Sequence, residues 1–183
     1  MPRLLLHVCC APDGTVPWPA LAEEGYAVTG FFYGSNIHPE AEWERRREAA
    51  LLLAGHLGEA LLVAPYAPDE WIGGTRMLAE EPEGGARCAV CFRLQLQAAA
   101  ARALEIGCTH LCTTLTISPH KPPALLNDIG ARVAEEAGLA WVERVWRKNG
   151  GFPLSVRRSR DWGLYRQRYC GCAYSMRRAA ADL

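Results

Sequence analysis

Five short, predominantly apolar runs recur along the chain, at residues 3–8, 26–33, 59–64, 109–115 and 141–146. Their length and their content of Leu, Val, Phe and Tyr predict strands buried on both faces, since half-exposed strands would alternate apolar and polar. Between them lie segments of helical character. Residues 17–24 end at Gly25. A charged helix starts after Pro39 and runs to about His56, with Glu40, Glu42 and Glu44 in its early turns, where the helix dipole favours anions. Residues 69–81 are helical in pattern but carry Gly73-Gly74, an Ala/Leu/Gln stretch covers about 90–106, and residues 124–137 end at Gly138. Strands alternating with helices predict an α/β fold, a parallel five-stranded sheet with helices on both faces. The tail after the turn at Asn149-Gly150-Gly151 predicts one or two further helices. The whole reads as one domain over residues 1–183.

In such sheets ligands sit at the carboxyl edge of the strands. Cys9-Cys10 end the first strand, residues 33–38 follow the second and residues 113–120 follow the fourth, so the three segments are expected to converge. Cys88-x-x-Cys91 stands at a helix start and can reach the same mouth.

Composition changes the picture in two places. The first is the eight cysteines. No apolar run approaches the ~18–20 residues of a membrane span, and the N-terminus lacks a signal-peptide pattern, so a cytoplasmic protein is expected. Cysteines clustered in that reducing compartment point to metal or redox chemistry rather than to structural disulfides. Cys9-Cys10 and Cys88-x-x-Cys91 together supply four thiolates, soft ligands suited to an iron–sulfur cluster or to zinc. Adjacent cysteines diverge, which suits a cluster better than one tetrahedral ion. Cys170-Gly171-Cys172 can close a strained, easily reduced ring, or can serve as further ligands. Asp13, in the loop leaving the first strand, is either a plain turn residue, a proton donor or a ligand to a second mononuclear metal ion. Cys108 and Cys112 read as small core residues, and His7 as a core histidine.

The second is charge. Net charge is zero, but residues 1–143 carry 10 Lys/Arg against 18 Asp/Glu, whereas residues 144–183 carry 10 against 2. A basic C-terminal segment suits a polyanion such as RNA, although the same charges also serve as a solvated helix face. His120 and Lys121, in the expected site loop, can contact phosphate. The first strand–helix turn has neither Gly-rich phosphate-binding pattern, which disfavours activation by ATP.

Several blocks, in order along the chain, carry a family resemblance: His7-Val8-Cys9-Cys10-Ala11-Pro12, Gly30-Phe31-Phe32-Tyr33, Asn36-Ile37-His38-Pro39, Arg87-Cys88-x-x-Cys91-Phe92, Thr113-Thr114-Leu115 with Ser118, and Tyr165-Arg166-Gln167-x-Tyr169-Cys170-Gly171-Cys172. Together they resemble the QueH-type epoxyqueuosine reductases. The resemblance implies an adenine-nucleotide-hydrolase-like α/β fold and removal of the epoxide oxygen of epoxyqueuosine in tRNA, the last step of queuosine biosynthesis. It also implies a [4Fe–4S] cluster on Cys9, Cys10, Cys88 and Cys91, with Cys170 and Cys172 as a redox-active pair. Where that family often has a further cysteine this chain has Asp13, which leaves a second metal open. Tyr33, Asn36, His38, Ser118 and Tyr169 are the expected substrate contacts, with Tyr33 or Tyr169 stacking on an extruded base. The expected partners are the tRNA anticodon stem-loop carrying epoxyqueuosine and an unidentified electron donor. Two competing readings stay open: a zinc-stabilised RNA-binding module, and a cluster-dependent tRNA sulfurtransferase.

Overall fold

The computed structural model describes residues 1–176 of the 183. Arg177 and Arg178 of the basic tail therefore lie outside the described residues. Five parallel strands form one sheet in the order β3-β2-β1-β4-β5: β1 (Arg3–His7), β2 (Ala27–Phe32), β3 (Leu61–Val63), β4 (His110–Thr113) and β5 (Ala140–Trp141). Helices accompany them, among them α1 (Ala11–Gly14), α2 (Pro17–Glu23), α3 (Glu40–Leu57), α4 (Pro68–Thr75), α5 (Ala86–Glu105), α6 (Pro123–Glu136) and α7 (Gly151–Asp161). None of them is long and apolar enough to cross a membrane.

Alternation along β1 divides the core. Leu4, Leu6 and Val8 face α2 and α3, packing with Trp18, Leu21, Leu53 and Ala49. Leu5 faces the other way, onto Leu96, Ala99 and Ala103 of α5 and Val133 of α6. With both faces covered, the strand has no polar side to show, which is why its sequence reads as a continuous apolar run.

Three elements depart from the sequence expectation. The loop expected to carry Asp13 is instead the one-turn helix α1, with Pro12 in its first turn, where its missing N–H costs nothing. The helix expected over 69–81 ends at Thr75, just after Gly73-Gly74, and continues only as a 3-10 turn at Arg76–Leu78. The fifth strand is two residues long instead of six. Val142 N donates to Leu111 O (2.9 Å) as the last ladder contact; Arg144 then turns away to Glu24 (2.6 Å) and Trp146 Nε1 bonds Thr113 O (3.0 Å).

Gly30 of β2 lies directly under the Trp18 ring, and a Cβ there would sit inside the ring's van der Waals shell. Overpacking of this kind costs about 1–3 kcal/mol, more than the roughly 0.5–1 kcal/mol that Ala gains over Gly within a strand. Gly30→Ala is therefore expected to lower the urea unfolding midpoint with an unchanged slope. A midpoint at or above the wild-type value would show that Trp18 has room to move.

Candidate active site

The chain runs from β1 to β2 and β3 on one side, then returns to β4 and β5 on the other, so the topological switch point lies between the ends of β1 and β4. There Thr114 N donates to His7 O (2.9 Å), and Cys9 N donates to Thr114 Oγ1 (3.2 Å). Behind them the buried His7 shares a hydrogen bond with Thr113 Oγ1 through Nδ1 (2.9 Å), and burial holds its imidazole down to about 4. It is a neutral core histidine.

Cys88 and Cys91 lie three residues apart in the first turns of α5, on one face of the helix. Arg87, 2% exposed, fixes that helix start by donating to the carbonyls of Leu78, Ala79 and Glu81. The third cysteine group arrives from the tail, with Cys170 half-buried and Cys172 buried. All eight cysteines are free thiols.

Two cavities meet here. The inner one, about 30 Å³, is lined by Cys9, Cys88, Cys91, Cys170 and Cys172 together with Asn36, Trp71 and Gln95. The outer one is an open cleft of about 670 Å³, lined by Asp13, Ser118, His120, Lys121, Tyr169 and Cys170, with Arg166, Gln167 and Arg168 at its rim. Cys170, Lys121, His120 and Glu83 line both. Cys170 is the cysteine with a face on each side.

N–H donors aim at the sulfurs. Trp71 Nε1 (3.2 Å) and Gln95 Nε2 (3.1 Å) both donate to Cys91 Sγ, and Gly84 N donates to Cys88 Sγ (3.2 Å). Burial pushes the Cys91 thiol well up, Cys170 and Cys172 add to that, and the two donors act against it. Cys10 hydrogen-bonds Cys9 and lowers it. Lys121 draws the Cys170 thiol down, but burial with Cys9, Cys172 and Glu83 outweighs it and leaves that thiol at about 11. Burial opposes the Lys121 ammonium, yet Cys170, Cys9, Asp13 and Cys10 around it raise it overall. Burial also raises the Asp13 carboxyl.

Of the residues singled out in the sequence, Cys9, Asn36, Cys88, Cys91, Cys170 and Cys172 come together at the inner cavity, and Asp13, Ser118 and Tyr169 at the cleft. Cys10 is fully buried and lines neither space, but its thiol hydrogen-bonds Cys9 and its Sγ accepts from Gln167 Nε2 (2.9 Å). Tyr33 and His38 line neither space. Tyr33 sits behind, near Cys91 and hydrogen-bonded to Ser35. His38 packs on Trp71 (ring centroids 5.3 Å apart), and its backbone N donates to Gly171 O (2.8 Å). No sequence signal marks Trp71, Gln95 and Gln167, which donate to the Cys91 and Cys10 sulfurs.

Among the described residues no three Cys, His, Asp or Glu side chains form a group that could hold a metal ion. The thiols of Cys9, Cys88, Cys91, Cys170 and Cys172 line one shared cavity. That arrangement, with N–H donors on the sulfurs, fits a polynuclear thiolate-bound group.

Fold and site define an α/β protein with a polythiol centre at its switch point, opening onto a cleft with a basic rim. Solved structures with the same adenine-nucleotide-hydrolase-like fold include a predicted subunit of tRNA methyltransferase from Methanocaldococcus jannaschii (TM-score 0.60, 11% identity, covering 87% of this chain and 75% of that one). Another is the U34-tRNA thiolase NcsA from Methanococcus maripaludis, solved with its [4Fe-4S] cluster (TM-score 0.59, 10% identity, 98% and 64% covered). Sequence relatives are closer. The family model for epoxyqueuosine reductase QueH matches residues 4–178. The chain is 37% identical to the epoxyqueuosine reductase QueH of Streptococcus pyogenes serotype M1, over 100% of this chain and 73% of that protein. It is 34% identical to that of Thermotoga maritima, over 96% and 91%. The chain belongs to the epoxyqueuosine reductase QueH family.

Proposed function

We propose that this protein reduces the epoxide of epoxyqueuosine in tRNA to the cyclopentene of queuosine, the last step of queuosine biosynthesis, in the cytoplasm. The observation that carries this is Cys170, a thiol with one face on the polythiol cavity and the other on the cleft. Cys9, Cys10, Cys88 and Cys91 hold a [4Fe–4S] cluster in this reading, with Trp71 and Gln95 donating to the Cys91 sulfur. When bound, the cluster supplies single electrons and Lewis-acidic iron. Asp13 has two alternative duties, ligand to a second, mononuclear metal ion or proton donor, and burial that raises its carboxyl favours the second.

The reaction takes up two electrons and two protons and releases the oxygen as water. Oxidation of Cys170 and Cys172 to a disulfide releases two electrons and two protons, so the pair balances one turnover, and an external donor must restore it. Asp13, on the cleft wall, is placed to hand a proton to the departing oxygen. Ser118 and Asn36 supply polar contacts, Tyr169 offers a ring for the extruded base, and Tyr33 and His38 support the walls from behind. The chain acts as one unit over 1–183, whose basic segment from 144 holds the anticodon stem-loop by its phosphates.

Arg166 and Arg168, exposed at the cleft rim, are the first candidates for phosphate. Arg166→Ala and Arg168→Ala are each expected to weaken tRNA binding and to make its salt dependence shallower by about one charge. Binding with an unchanged salt slope would place the RNA elsewhere.

The deciding experiment is an anaerobic assay on epoxyqueuosine-containing tRNA with dithionite and product analysis. Queuosine formed by a brown protein with roughly four irons supports the reading. A colourless protein with one stoichiometric zinc favours an RNA-binding module, and ATP-dependent sulfur incorporation favours a tRNA sulfurtransferase. Either outcome overturns it.

A further inference from the structure

Arg46 is the charged residue whose burial the site does not explain. It stands in the middle of α3 and is 1% exposed, as is Glu42 one turn earlier. Its Nε donates to Glu42 Oε1 (2.7 Å). The remaining donors leave the helix altogether: Nη1 reaches Cys170 O (2.9 Å) and Nη2 reaches Tyr169 O (3.1 Å). The guanidinium also lies 5.3 Å from the Tyr169 ring centroid. Tyr165 closes the arrangement by donating its hydroxyl to Glu42 (2.9 Å to Oε2).

A buried guanidinium is costly unless every donor is used, and a helix-surface ion pair needs no tail to satisfy it. Here the fork is spent on two consecutive carbonyls of the segment that carries the thiol pair. Gly171 shows how close that grip is. Its φ is +124°, and a Cβ there would lie 2.8 Å from Arg46 Nη1. His38 N holds Gly171 O from the opposite side (2.8 Å). The main chain around the pair is thus fixed from two elements, and the two thiols are held in unequal positions. Cys170 lines both cavity and cleft, whereas Cys172, 8% exposed, lines the cavity alone.

We propose that Arg46 is the positioning residue of the Cys170/Cys172 pair: its fork, neutralised by Glu42, sets Cys170 as the thiol that meets the cleft and Cys172 as the inner partner. The inference rests on the proposed reading of the pair as redox-active, but its geometry is tested separately. Lys cannot replace Arg here, because an ammonium on a flexible stem cannot hold a carboxylate and two carbonyls in one plane.

The test is alkylation of the reduced, full-length protein under anaerobic conditions, with Cys170 and Cys172 followed individually by peptide mass spectrometry. In the wild type Cys170, the one of the two that also lines the open cleft, is expected to react faster than Cys172. Arg46→Lys should bring the two rates together while cooperative unfolding is retained, and should lower kcat for the tRNA with KM unchanged. Gly171→Ala, which presses on the same grip from the other side, should act alike. A folded Arg46→Lys protein with the wild-type rate ratio overturns the proposal. So does loss of cooperative unfolding in both variants, which would make Arg46 a fold anchor only. A wild type that does not turn over epoxyqueuosine, yet whose rate ratio depends on Arg46, removes the proposed function and leaves the positioning role standing.

Discussion

Cys91→Ser, purified without oxygen, is expected to lack the broad absorbance near about 400 nm and to hold well under the roughly four irons per chain of a thiolate-ligated cluster. Cys91 is the sharpest probe because its sulfur faces the inner cavity and takes two N–H donors, from Trp71 and Gln95. Serine keeps the volume but is a harder, less acidic ligand, so cluster and turnover should be lost together. Trp71→Phe separates the contact from the ligand. The ring remains to pack against His38 while the N–H to sulfur disappears, and losses of about 10- to 100-fold in iron retention or activity are expected of such a supporting group. Cys10→Ser tests the fourth ligand, whose thiol contacts Gln167 and does not line the cavity. It too should lose iron. If Cys10→Ser keeps its iron while Cys170→Ser loses it, the tail supplies a ligand and the set of four is wrong.

The convergence of distant cysteines was legible because a parallel sheet leaves few choices. Once residues 3–8 and 109–115 are strands in an α/β alternation, the loops after them share an edge, and Cys9 meets the Thr114 side chain. The placing of Cys88-x-x-Cys91 at a helix start was legible, although the Ala/Leu/Gln pattern began only at about 90 and α5 begins at Ala86, early enough to take both cysteines into its first turns. Strand ends were less legible. An apolar run such as 141–146 does not say whether it pairs or folds over the end of the sheet, and only Ala140–Trp141 pair. Trp146 is half-buried as loop, bonded to Thr113.

The clamp on the tail was not legible at all. Glu42 and Arg46, four apart on a charged helix, look like any solvated pair worth a few tenths of a kcal/mol. Their burial depends on Tyr165, Tyr169 and Cys170 arriving more than a hundred residues later. Local pattern carries no trace of a partner that distant. The same holds for Gln167, whose amide reaches Cys10 across 157 residues. In both cases the tail completes the site, so the basic charge of residues 144–183 described only half of its work. Helix α7 shows the other half, because Ser155 Oγ donates to Pro12 O (2.6 Å) and Arg158 Nη1 to Thr15 O (2.7 Å). The one-turn helix α1 bearing Asp13 is thereby held by the same segment proposed to grip RNA.

That dual role bears on the largest functional effect expected. The double variant Cys170→Ser/Cys172→Ser should keep its iron and its visible absorbance but lose multiple turnover on epoxyqueuosine-tRNA to background. Cluster ligation rests on the other four thiols in this reading. In the proposed mechanism the pair couples a carrier of single electrons to a reaction that needs two, and supplies its protons. Single variants sharpen the assignment. Cys170→Ser removes the thiol that faces the cleft and should be as inactive as the double variant. Cys172→Ser leaves that thiol in place without a partner to close the ring, so the two electrons of disulfide formation are not released and queuosine should fall to background. Iron content is measured on the same samples. Loss of iron in the double variant would make these cysteines ligands, and full multiple turnover with iron retained would leave the electrons to the cluster alone.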